Sequence, residues 1–77
     1  MTANEIREVV RAQPFRPFTI HMDDGSSYTI RHPDGILLGN FVAMVAEPPT
    51  EEGDKFSRLS IRHVVRLEES PILENGS

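Results

Sequence analysis

Three histidines, His21, His32 and His63, are the side chains best suited to acid–base or metal chemistry, and no H-x-H or H-x-x-x-H spacing joins them. A metal site needs three or four converging ligands, and only His21 and Asp23 are even close in sequence. His21 falls on the outward side of a hairpin and His32 in a turn before Pro33, so surface and turn roles account for them. Asp23-Asp24 could form an acid–base pair. Neighbours on a tight turn point apart, however, and Asp is favoured there because it bonds its own backbone. Glu51-Glu52 lies in a polar stretch. Ser26, Ser27, Ser57 and Ser60 have no base at a recognisable spacing, and Gly25, Gly35 and Gly39 sit in turns and not in a phosphate-cradling loop. The expectation is a protein that is not an enzyme, with no catalytic residue, no cofactor and no metal.

Two patterns point instead to binding. Arg58, Arg62 and Arg66 recur every four residues. A continuous strand would set all three on one face, and arginine forks onto phosphate in a way lysine does not. This is the alternative reading, an RNA- or DNA-binding surface. The plainer reading is a solvated strand face paired with Glu68 and Glu69. Single-stranded nucleic acid also wants aromatics among the charges, and the outward positions Thr19, His21, Ser27 and Thr29 supply none. The second pattern is the run Phe41-Val42-Ala43-Met44-Val45-Ala46, apolar at every position. A strand apolar on both sides needs cover on both sides, from a barrel wall bent over itself or from another molecule. Phe41, Val42, Met44 and Val45 are therefore the interface candidates. Pairing between strand edges would lead to a homo-oligomer or to docking of a protein partner.

The elements that position these residues follow from periodicity. Thr2 and Glu5 have capping-box spacing, and Ile6, Val9 and Val10 form an apolar stripe on a helix that ends before Pro14. Gln13 to Pro17 is an extended corner. Phe18, Ile20 and Met22 alternate with Thr19 and His21, Asp23-Asp24-Gly25 turns the chain, and Tyr28 and Ile30 resume the alternation. The pattern selects the register Met22 with Ser26, Ile20 with Tyr28 and Phe18 with Ile30. His32 to Gly35 is a turn, Ile36 to Leu38 a short strand, Gly39-Asn40 a two-residue turn and Phe41 to Glu47 the apolar strand. Pro48 to Asp54 is expected to be a mobile polar loop. Phe56 to Ile61 and Val64 to Leu67 complete the strands, with a kink near Arg62-His63.

Length and composition set the frame. The chain has 77 residues, no Cys, 38% hydrophobic and 26% charged residues and a net charge of −4. A single domain over residues 1–69 with a flexible tail over 70–77 fits that size, and its core is thin. The acidic balance disfavours nucleic acid as the main partner. No apolar run is long enough for a membrane span and no leader pattern is present, so no membrane is expected and the location is expected to be cytoplasmic.

The segment Gln13-Pro14-Phe15-Arg16-Pro17-Phe18-Thr19-Ile20-His21-Met22-Asp23-Asp24-Gly25 resembles the opening of a group of short uncharacterised bacterial proteins. In these a helix leads into QPFRPF-x-I-x-(M/L)-x-DG, and a hydrophobic strand closes on an "IE"-like pair, matched by Leu67-Glu68. That resemblance implies no activity. More loosely, Ile20-His21-Met22-Asp23-Asp24-Gly25 and Ile61-Arg62-His63-Val64-Val65 are similar to the "V-x-L-x-D-G" and "I-R-G-x-x-V" motifs of Sm-like proteins. His63 replaces the motif glycine, and the middle of the chain lacks the D-x-x-N pair of the RNA pocket. The resemblance implies an SH3/Sm-like barrel. Closing five strands would also remove exposed edges. The expected fold is thus α+β, an N-terminal helix followed by a five-stranded antiparallel SH3/Sm-like small β-barrel.

Overall fold

A computed structural model describes residues 1–69. Helix α1 spans Ala3–Arg11, and six strands follow: β1 Phe18–Met22, β2 Ser27–Ile30, β3 Ile36–Leu38, β4 Val42–Thr50, β5 Gly53–Ser60 and β6 Val64–Glu69. Short 3-10 turns at Pro33–Gly35 and Ile61–His63 join β2 to β3 and β5 to β6. No helix among the described residues is long and apolar enough to cross a membrane.

The helix begins as its sequence dictates. The Glu5 amide donates to the Thr2 hydroxyl at 3.4 Å, and the Thr2 amide donates to the Glu5 carboxylate at 2.9 Å. Two otherwise orphaned donors are thereby satisfied. The Thr2 amide first, and next the Thr2 hydroxyl, which donates to the same carboxylate oxygen at 3.1 Å, hold the Glu5 carboxyl below the ordinary glutamate value. Ile6 is fully buried, with Val9 and Val10 packed beside it.

The first hairpin has the register that alternation selects: Phe18 opposite Ile30, Ile20 opposite Tyr28, and the Met22 amide donating to Ser26 at 2.9 Å. Gly25 stands at φ 91°, where only a residue without Cβ is at ease, and its amide returns to the Met22 carbonyl.

The five-stranded barrel expected above does not form. The strands make two three-stranded antiparallel sheets, ordered β2-β1-β6 and β3-β4-β5, and no ladder joins them among the described residues. Two local breaks are responsible. Pro33 has no amide to give a ladder, and it opens a 3-10 turn that separates β2 from β3. The kink expected near Arg62-His63 is a full break, a 3-10 turn at Ile61–His63 that sends β5 and β6 to different sheets. That turn is anchored from several sides. The Ile61 amide donates to the Phe41 carbonyl, the Val64 amide donates to the Ile61 carbonyl, and the His63 carbonyl accepts from the Asp23 amide. Ile61 and Val64 both point into the core, which holds the kink in place.

Two further expectations change. Pro48 and Pro49 do not open a loop: they lie within β4, which turns into β5 only at Glu51-Glu52. The register shifts between Glu47 and Thr50, so neither proline owes the ladder a hydrogen bond. The β3–β4 turn is centred one residue later than expected. The Gly39 amide donates to the Val42 carbonyl at 2.8 Å, leaving Asn40 and Phe41 at its tip.

The core lies where α1 and the inner faces of both sheets meet. It comprises Ile6 from the helix, Phe18, Ile20, Ile30 and Val64 from one sheet, Val45 and Leu59 from the other, and Ile61 between them. The expected tail, residues 70–77, lies outside the described residues.

Candidate functional site

Strand alternation resolves the two-sided apolar run of β4. Ala43 and Val45 face inward and are buried, while Val42, Met44 and Ala46 face out. Neighbouring strands extend that outer face in rows. Leu37 of β3, Met44 of β4 and Arg58 of β5 stand abreast, as do Ala46 and Phe56, and Val42 and Ser60. Large apolar side chains on it are open to solvent: Leu37 is 73% exposed, Phe56 58% and Met44 41%. At one end the face dips into a hollow of about 180 Å³, bounded by Asp34, Gly35, Leu37, Met44, Ala46 and Phe56. At the other end Val42 leads into a wider groove of about 580 Å³. There the helix start (Met1 to Ala3) approaches Phe41 and the Ser60–His63 turn.

The predicted interface residues separate. Met44 and Val42 lie on the outer face, but Val45 is only 1% exposed and belongs to the core. Phe41 is not on the strand. It sits at the turn tip, 81% exposed, against the wider groove. Leu37 and Phe56 were not among the candidates, although their parity marks them. Leu37 lies between Ile36 and Leu38, which both pack on the core, and Phe56 has the opposite parity to Leu59. In each case a strand must turn one apolar side chain outward.

The three arginines do not share a strand face, because the chain between them is not one strand. Arg58 is on the outer face of β5, Arg62 is in the 3-10 turn beside the Phe41 groove, and Arg66 is on β6 in the other sheet, 3.5 Å from Glu68.

Polar clusters lie elsewhere. On the outer face of the β2-β1-β6 sheet, Thr19 and Thr29 hydroxyls meet at 3.1 Å, and His21 Nε2 lies 2.9 Å from Glu68 Oε1. The bond to His21, and next the charge of Arg66, hold the Glu68 carboxyl below its ordinary value. Asp24 is also lowered, first by the Ser26 hydroxyl and then by the Ser26 amide, both of which donate to it. His63 Nδ1 stands 2.7 Å from Asp23 Oδ2, alongside the backbone bond between the same residues. These contacts fasten a hairpin turn to a 3-10 turn and close a sheet face. No group of three His, Cys, Asp or Glu able to hold a metal ion is found among the described residues. The arrangement best suited to recognition is the apolar face of the β3-β4-β5 sheet. Comparisons with protein-family models, with curated proteins and with solved structures find no match to this chain.

Proposed function

We propose that this chain is a small, non-catalytic, cytoplasmic interaction module that docks a protein through the outer face of the β3-β4-β5 sheet. One observation carries the reading: Leu37, Met44, Ala46 and Phe56 form a contiguous apolar surface on a sheet whose inner face already supplies the core. Contiguous apolar surface with charge at its rim is what a docking site requires. The face is favoured over the edges of β3 and β6. β3 offers three residues, and β6 carries an irregularity that leaves Val65 out of register between Val64 and Arg66. Short and bulged edges discourage added strands.

The test is a photoreactive benzophenone amino acid at position 44, compared with the same group at position 19 on the opposite sheet. Cross-linking in cells from position 44 and not from position 19 supports the reading. Equal cross-linking from both, or none from position 44, overturns it.

A second reading, single-stranded nucleic acid, is favoured by one arrangement. Phe56 lies two residues from Arg58 on the same face, and Phe41 lines a groove with Arg62. Stacking aromatics beside arginines are the elements such binding uses. It predicts retention of single-stranded RNA that weakens steeply with salt and is lost in Phe56→Ala.

A further inference from the structure

Resting on the docking reading, we infer that the occupant of the β3-β4-β5 face is a second copy of this chain, related by a two-fold axis parallel to β4. The face is complementary to itself. In the row of Ala46 and Phe56, the β5 border carries a protruding phenyl ring. The β3 border of that row falls at Gly35, because Ile36 is the partner of Val45. A Cβ on Gly35 would meet nothing within 4 Å, and the hollow of about 180 Å³ opens over it. One border has the knob and the other has the hole.

An axis parallel to β4, lying between two such faces, keeps every row level and exchanges the borders. Phe56 of each copy then enters the hollow over Gly35 of the other, and the contact is made twice, as an isologous interface demands. The same exchange matches charge. Arg58 is on the β5 border and Asp34 on the β3 border, and neither is in an ion pair among the described residues. Each is brought over the border that carries its opposite, Arg58 level with Leu37 and Asp34 three residues farther along. An axis across the strands through the Met44 row would instead set Arg58 against Arg58, which like-charge repulsion disfavours. Sheets packed face to face in this way lie about 10 Å apart.

Sedimentation velocity of the full chain across a concentration series tests this, with circular dichroism confirming that each variant is folded. The wild type is expected to be a dimer. Phe56→Ala removes the knob and Gly35→Leu fills the hole; each is expected to raise the dissociation constant by about tenfold or more. Asp34→Arg and Arg58→Asp should each weaken the dimer, and the double variant should recover it. A dimer indifferent to all four changes, or a double variant no better than the singles, overturns this geometry. A monomeric wild type that cross-links to another protein from position 44 overturns self-docking and leaves the docking reading standing. A monomer without such cross-links overturns both, as does a monomer that retains single-stranded RNA.

Discussion

The two sheets have the same number of strands and share one core, yet their outer faces are finished differently. On the β2-β1-β6 sheet the paired outward positions of β1 are polar, and the large apolar side chain exposed on that sheet, Val65, sits at the β6 irregularity. Thr19 meets Thr29, and His21 and Arg66 both meet Glu68. That face is complete in a single chain. On the β3-β4-β5 sheet the corresponding positions are Leu37, Met44, Ala46 and Phe56, and Arg58 stands beside them without a carboxylate partner among the described residues. Folding gains nothing from apolar groups left in water, and this is the face proposed above as the docking surface. Two sheets on one core thus differ in what their exteriors leave open, and only the β3-β4-β5 exterior offers a contiguous apolar surface to another molecule.

The largest effect should come from the residues beneath both sheets. Phe18 is fully buried at their junction, and Phe18→Ala is expected to remove about 3–5 kcal/mol. That is comparable with the whole stability of a domain this small, roughly 5 kcal/mol. Thermal denaturation should show both faces lost in one transition; separate transitions would mean that the sheets do not share a core. Next comes the contrast itself. Met44→Asp should abolish association while moving the melting temperature little, whereas Thr29→Ala on the finished face should leave association as it is. A smaller loss follows from Thr2→Ala, about 1 kcal/mol, through the capping box of α1. Urea denaturation reads it, and recovery with Thr2→Ser identifies the hydroxyl as the cause.

The smallest effect is a pH dependence. The folded-state pKa of Glu68 is depressed, so its contribution is present above the ordinary glutamate value and is lost as pH falls through the depressed one. Asp24 and Glu5 act in the same direction. Stability should therefore decline on the acid side, and Glu68→Gln should flatten that decline without altering association.

Much of this contrast is legible in the sequence, and the missing part is specific. The capping box, the first hairpin and its register rest on interactions between near neighbours, and alternation alone places Thr19 and His21 outward. The two-sided character of β4 is equally plain, and parity divides its inward Val45 from its outward Met44. The kink near Arg62-His63 is legible but its depth is not, because the turn that divides the strand at Ile61–His63 is held by the Phe41 carbonyl and the Asp23 amide, some twenty and forty residues away. With the kink taken as a bend within one strand, Arg58, Arg62 and Arg66 look like one stripe and five strands look like a barrel. The prolines of β4 mislead for a related reason: only the partner strand shows that the ladder slips there and asks nothing of them.

Coverage of the unfinished face by a second copy is read most directly from amide NMR spectra recorded over a dilution series. Dilution should shift the resonances of Leu37, Met44, Ala46 and Phe56 together, along a single binding curve, while Thr19, Thr29 and Glu68 stay in place. Shifts confined to the β2-β1-β6 sheet, or spectra unchanged at every concentration, would contradict it.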